Sequence, residues 1–284
     1  MWLILALFAA ALTTARESAV KAAMGAADEE ALVLGITVVA LAVLLPPVLL
    51  SEHETPATSF WPALLVSGSI NALASVLIAR AVHRGELSIV MPLQSFTPLF
   101  MLATSPIILG ERPTLAGAAG VVAIVAGSYV LRLPERAGGP LAPFTALLRD
   151  TAARLMLWVA FLYSVSSTID KVGVLASDPL LWGIAVQTFV AVALAVRLAT
   201  RRSGSVRLGR SRLVFAGGVA LGLTIAAQMT ALTLALAAYV IAVKRTSIVL
   251  SVVAGRVFFG ERGLRDRFAG AALMLIGVVL ITLS

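Results

Sequence analysis

Ten stretches of about 20 mostly apolar residues follow one another along this chain, and short segments rich in charge, glycine or proline separate them. They run roughly over 2–22, 31–50, 61–80, 88–109, 114–132, 155–175, 180–199, 212–232, 238–259 and 266–284. A helix of about 20 such residues is what crosses a hydrocarbon core about 30 Å thick. Soluble domains run about 45–50% apolar and about 25% charged. This chain is 60% hydrophobic and 13% charged, which excludes a water-soluble enzyme and a disordered chain. The expected fold is all-α and membrane-embedded, with ten transmembrane helices. The opening MWLILALFAAALTTA is similar to a signal peptide but lacks a basic n-region. It is counted as span one.

Shifting the chain on itself by 150 residues aligns its halves without gaps. Lys21 falls on Lys171, Asp28 on Asp178 and Gly68 on Gly218. Gly110-Glu111-Arg112 falls on Gly260-Glu261-Arg262, and Gly120 and Gly127 fall on Gly270 and Gly277. The shift also places a boundary that composition hides. Residues 213–243 carry no charge, but the loop HRGELS at 83–88 maps onto TLALAA at 233–238, so a short turn is expected there. Five spans per half is an odd number, so the halves must lie in opposite orientations. The expected organisation is a first five-helix repeat over 1–132, a connecting loop over 133–154 and a second repeat over 155–284. Inverted repeats of this kind build transporters whose substrate site lies between the halves near the midplane.

Six cations fall inside the spans: Arg16, Lys21, Lys171, Lys244, Arg245 and Arg256. Glu17 and Asp170 are the acids inside them. A charge at the bilayer centre costs about 2.5–3.5 kcal/mol on insertion scales, so such residues face an interior and mark function. Lys244 and Arg245 lie about seven residues into span nine with no acid within a helical turn. They form the candidate anion-binding pair, the arginine offering a fork and the lysine a point charge. Lys171, late in span six, is a third candidate. Gln94 and Ser95 occupy the repeat positions of Lys244 and Arg245, and Asn71 lies in span three; all three are candidate substrate-binding residues. Glu17, Lys21 and Asp170 are candidates for coupling or gating. Glu17 and Lys21 are also spaced to pair on the surface of one helix, and Asp170 and Lys171 are also compatible with a solvated membrane boundary. Arg256 is read as reaching back to an interface.

Pro92, Pro98 and Pro106 should bend span four. The two Gly-Glu-Arg triplets are read as structural helix ends, their glutamates bonding backbone or the next helix start. His53 and His83 are read as solvated loop residues. No cysteine is present, which excludes disulfides and thiolate chemistry. No nucleophile elbow, P-loop or HExxH motif appears. No enzyme activity, cofactor or metal is expected.

Ten spans, a five-plus-five repeat, and LGERPT and FFGERGL closing spans four and nine resemble the drug/metabolite transporter superfamily, and within it a bacterial EamA-type transporter. The resemblance covers the whole chain. It implies alternating access around a central cavity without ATP, in the bacterial inner membrane. VIAVKRTSIVLSVV in span nine is similar to the Lys-Arg motif of the triose-phosphate/phosphate translocators. There that pair and a lysine on span six bind phosphate, by position Lys244, Arg245 and Lys171 here. Those carriers also use a tyrosine on span eight, and FAGGVALGLTIAAQMT has none, so a sugar-phosphate cargo does not carry over. The expected function is secondary transport of a small anionic or zwitterionic metabolite, with export one direction and a proton or counter-substrate as coupled partner. Two alternatives stand beside it: a proton-coupled exporter of cationic or hydrophobic drugs using Glu17, and a flippase for a lipid-linked anion.

The formal charge of +8 belongs with the bilayer rather than with nucleic acid. Loops after odd-numbered spans, with the span ends beside them, hold fifteen Lys/Arg, from Arg80 to Arg267; loops after even-numbered spans hold Arg112. The positive-inside rule puts the basic loops in the cytoplasm and both termini outside. A reporter active only in the cytoplasm should therefore stay silent when fused to either terminus, and an active fusion overturns this orientation.

Overall fold

The computed structural model describes residues 1–23, 29–53, 55–84, 91–131, 150–200, 211–251, 253 and 268–284. All regular structure among them is helical. The elements are α1 (Trp2–Ala23), α2 (Glu29–Leu50), α3 (Phe60–Arg84), a 3₁₀ segment (Met91–Phe96) leading into α4 (Thr97–Leu109), α5 (Leu115–Leu131), α6 (Thr151–Leu175), α7 (Pro179–Thr200), α8 (Ser211–Leu234), α9 (Ala237–Lys244) and α10 (Phe268–Thr282). Five of these, α1, α2, α6, α7 and α8, are long and apolar enough to cross a membrane.

Helix ends follow local chemistry. Asp150 accepts from the Ala152 N–H at 2.9 Å and starts α6, so residues 151–154, expected in the loop, are helical. Asp178 accepts from the N–H groups of Leu180 and Leu181 at 2.9 Å each, with Pro179 at the first helical position of α7. Thr114 does the same for α5 through the Gly117 N–H at 3.0 Å. Gly110 closes α4 with φ +69°, its N–H bonded to the Pro106 carbonyl at 3.0 Å. Only glycine takes that backbone without strain. Between α8 and α9 the chain breaks at Ala235-Leu236, inside the chargeless segment 233–238.

Two compact units form. The first comprises Met1–Ala72 and Asp170–Leu234, the second Leu73–Ile169 and Ala235–Ser284. Each unit draws on both sequence halves. The chain changes unit within α3, within α6 and between α8 and α9. In the first unit α1 and α2 pack along α8, and α2 also packs on α7. In the second, α5 packs along α10, and α9 lies against α4 and α5. A small-residue core of Ala74, Ala81, Ala152 and Ala153 with Leu93, Met156 and Val159 fills the second unit where α3, the 3₁₀ segment and α6 meet.

Glycines set the closest approaches. A Cβ on Gly120 would lie 2.7 Å from the Gly277 carbonyl oxygen, and one on Gly127 2.6 Å from that of Gly270. The pairing of rising with falling numbers makes α5 and α10 antiparallel. Under the 150-residue shift, the contact 120–277 becomes 270–127. In the first unit, a Cβ on Gly68 would lie 2.6 Å from the Phe189 ring, and one on Gly218 would strike Val39. Those contacts also exchange, since Gly68 maps to Gly218 and Val39 to Phe189.

Replacing Gly120 or Gly270 by Val pushes a side chain into backbone that cannot yield. The expected loss is about 1–3 kcal/mol, the usual cost of overpacking, read as a lower thermal unfolding midpoint in detergent. An unchanged midpoint in both variants would show that α5 and α10 do not pack this way.

Candidate functional site

Spans four and nine are interrupted at matching places. In span four the backbone is 3₁₀ over Met91–Phe96 and becomes α-helical at Thr97. Pro98 has no N–H for the Gln94 carbonyl, and the Thr97 hydroxyl donates to that oxygen instead at 2.8 Å. In span nine, α9 ends at Lys244, and the helix resumes over 247–251. The intervening bonds tighten to i→i−3: Arg245 N–H to Ala242 (3.0 Å), Thr246 N–H to Val243 (2.9 Å), and Ile248 N–H to Arg245 (3.0 Å). The Thr246 hydroxyl also donates to the Val243 carbonyl at 2.8 Å. No proline causes this break. The interrupted positions 94–96 and 244–246 are related by the 150-residue shift.

Charge and burial concentrate there. Residues 237–243 and 246–248 are buried, whereas Lys244 and Arg245 between them are half-buried. Lys244 occupies the last turn of α9, where the negative end of the helix dipole favours a cation. On span four Ser95 is buried and Gln94 half-buried. A half-helix end in an apolar surrounding presents backbone groups that a ligand can satisfy.

The first Gly-Glu-Arg triplet fixes where this break sits. The Glu111 carboxylate accepts from the Ser105 hydroxyl and from the Ala237 N–H, the latter at 3.0 Å. It therefore caps α9, 126 residues away in the chain. Two residues on, the Tyr239 hydroxyl accepts from the Thr114 N–H at 3.1 Å. The α4–α5 corner thus holds the start of α9 in register, and Lys244 follows about 10 Å along the axis. The second triplet and Arg256 lie outside the described residues.

Asp170 is the other polar centre, and it belongs wholly to the first unit. It is 6% exposed, not solvated at a boundary. Its Oδ1 accepts from the Ser67 hydroxyl of α3 at 2.6 Å and from the Trp182 indole N–H of α7 at 3.2 Å. Asn71 donates to the Ser67 hydroxyl oxygen at 3.3 Å and to the Ser67 carbonyl at 2.9 Å. Gly173, one turn after Asp170, leaves room for the Trp182 ring, which a Cβ there would strike. Phe60 meets the same indole edge-on at 5.4 Å. Asn71 and Asp170 are thereby brought together, and Ser67 and Trp182 join them. A carboxylate in an apolar span demands donors, but nothing in sequence order singles out which serine or tryptophan supplies them.

Lys171 is half-buried beside Asp170, and Glu17 is exposed on α1. Lys21 is helical, and its side chain lies outside the described residues, as does Asp28. Arg16 is half-buried, its Nε without a hydrogen-bond partner among the described residues. His83 stands in the last turn of α3 rather than in a loop. No group of three His, Asp or Glu fit to hold a metal occurs among the described residues.

His53 is not simply solvated. Its Nε2 lies 2.5 Å from the Val48 carbonyl oxygen near the end of α2, and its Nδ1 lies 2.5 Å from Oδ2 of Asp178, the residue that caps α7. Both partners are acceptors, an arrangement that suits an imidazolium donating from both nitrogens. Beside it the Ala57 N–H bonds the Ala176 carbonyl at 2.8 Å, so the α2–α3 loop is tied to the α6–α7 turn.

Residues 1–133 match the profile of the EamA-like transporter family, of the drug/metabolite transporter superfamily. The first half of the chain is EamA-like. That family consists of membrane transporters, not enzymes. A crystal structure superposes with a TM-score of 0.78 over 99% of this chain and 96% of that chain at 17% identity, a likeness of fold alone. An uncharacterized protein of Methanocaldococcus jannaschii is 33% identical over 69 residues, 24% of this chain. The match spans 50% of that relative's length. The five helices long and apolar enough to cross a membrane fit the EamA likeness.

His53 lies in the EamA-like half and makes its stability pH-dependent. Its pKa is raised above the ordinary 6.5, first by the hydrogen bond to the Val48 carbonyl and then by the nearby Asp178 carboxylate, against some desolvation. A raised folded pKa means stability that is present below the unfolded value and lost as pH climbs through the folded one. Between about pH 6 and pH 9 the unfolding midpoint should fall more in the wild type than in His53→Gln. Parallel curves for the two proteins would remove His53 from the account.

Proposed function

We propose that the chain is a secondary transporter that moves a small anionic or zwitterionic metabolite by alternating access, with Lys244 and Arg245 as its anion-binding pair. The observation that carries this reading is the pair of interrupted helices at shift-related positions, Gln94-Ser95 on one and Lys244-Arg245 on the other. Interrupted segments at corresponding places in two repeats are the best pointer to a transporter's substrate site. Ten spans arranged as two inverted five-helix repeats, 1–132 and 155–284, fit the reciprocal glycine contacts and the antiparallel course of α5 and α10. Lys171 joins the site on the strength of the sequence resemblance. Glu17, Lys21 and Asp170 are assigned to coupling or gating. The Lys/Arg distribution supports an inner-membrane protein with both termini outside.

A thermal-shift screen of purified protein against organic acids, amino acids, sugar phosphates and organic cations should yield an acid or an amino acid as stabiliser. Charge-assisted hydrogen bonds contribute about 1.5–3 kcal/mol each, so Lys244→Ala or Arg245→Ala should weaken that ligand roughly tenfold to a hundredfold. The double variant should abolish exchange of the labelled compound in liposomes. Arg245→Lys keeps the charge but loses the fork and should fall between. Stabilisation by cations alone, or unchanged exchange in the double variant, sinks the assignment.

A further inference from the structure

Three described donors around Asp170 point one way. Asn71 donates to Ser67, Ser67 donates to Asp170, and Trp182 donates to the same oxygen. That wiring suits an ionised carboxylate, which only accepts. Burial opposes it, because an apolar surrounding favours the neutral acid, whereas donors favour the charged form. A proton on Oδ1 must displace Ser67 or Trp182. Protonation of either oxygen removes the charge that makes these bonds about twice as strong as neutral ones.

The position gives this chemistry a mechanical consequence. Asp170 joins three helices, α3 through Ser67, α6 through itself and α7 through Trp182. It is the first residue of α6 in the first compact unit, and Asn71 is one residue from the point where α3 leaves that unit. It stands five residues before the end of α6, about 8 Å from the turn that carries His53 and Asp178. The charged and titratable groups on these elements are few. Lys171 is next to it in the chain and projects about 100° away around the helix. Asp178 and His53 bond each other at the near end. Arg154 on α6, Arg80, His83 and Arg84 on α3, and Arg197 on α7, which pairs with Glu30 at 3.1 Å, stand nine or more residues along their helices from the cluster.

We propose that Asp170 is a proton-binding site whose occupancy loosens or tightens the joint between α3, α6 and α7, and that the proton is the coupling ion of the transport cycle. The proton comes from water, adds to the carboxylate and returns to water on the other side; no other group is consumed. The coupling role rests on the transporter reading above, but proton binding does not.

The test reads the two separately. With Trp2, Trp61 and Trp158 changed to Phe, Trp182 is the sole tryptophan and its indole N–H reports on Asp170. In detergent, without substrate, its emission should change with pH in a single transition. Asp170→Asn should abolish the transition while keeping an acceptor for both donors. Ser67→Ala removes a donor to the charged form and should move the midpoint to higher pH, which also carries the test if Asp170→Asn fails to fold. A flat wild-type curve, a transition that persists in Asp170→Asn, or an unmoved midpoint in Ser67→Ala overturns the site. In liposomes, a pH gradient should drive accumulation of the labelled acid or amino acid found by the thermal screen. Asp170→Asn should keep its counterflow and lose the gradient-driven part. Equal accumulation in the variant overturns the coupling role while leaving both the transporter reading and the titration intact.

Discussion

In hydrocarbon, a backbone N–H or C=O that the helix does not satisfy has no water to turn to. The local structure of this chain answers that constraint repeatedly. Threonines inside the helices return their hydroxyls to their own backbone, as Thr14 does to Ala10 and Thr224 to Ala220. Helix starts are supplied with carboxylates, Asp150 for α6, Asp178 for α7 and, from a different span, Glu111 for α9. Where a helix nevertheless breaks, the freed groups must be matched locally. Thr97 and Thr246 do so at the two interruptions. Breaks so carefully accommodated persist because something requires them, and both carry polar side chains into buried surroundings.

The same solvent removes the ordinary driving force for helix association, since lipid is as apolar as leucine. Close backbone approach takes its place. That is why glycine decides the contacts of α5 with α10, of α3 with α7 and of α8 with α2. It is also why glycines stood out when the chain was shifted on itself. A residue that must be small because another backbone lies against it resists change in either half. In so apolar a composition, leucine and alanine coincidences say little.

Legibility in the sequence followed the range of the interaction. The five long apolar helices, the Gly110 turn and the hidden boundary at 233–238 depend on local composition or on the shift, and both can be read along the chain. The change from 3₁₀ to α-helix in span four falls among its prolines; the break after α9 has no such mark, because a threonine hydroxyl and tightened i→i−3 bonds leave no compositional signal. The start of α6 at Thr151 was missed although Asp150 is a good cap, because hydropathy falls there before helicity does. Glu111 was recognisable as structural, yet its partner Ala237 is 126 residues on. Asp170 was suspected for its charge alone. Its donors Ser67 and Trp182 come from two other helices, and no periodicity links them.

The shift separates packing from chemistry. Gly68, Gly120, Gly127 and the Gly-Glu-Arg triplet all have matching residues 150 positions on. Lys244 and Arg245 map onto Gln94 and Ser95, Asp170 onto Val20, Ser67 onto Gly217 and Trp182 onto Leu32. What is duplicated are residues that let helices approach and end, with Lys21 and Lys171 beside them; Lys244, Arg245 and the buried Asp170 are not duplicated. A scaffold of two like halves needs its contacts twice, because each half must pack. A bound anion needs one cationic clamp, and a second placed opposite would add a charge that costs about 2.5–3.5 kcal/mol to bury. The same reasoning applies to a single proton and a single carboxylate. On the proposed reading, Lys244, Arg245 and Asp170 carry chemistry where the repeat is broken, whereas Glu111, which keeps it, holds the start of α9 in place.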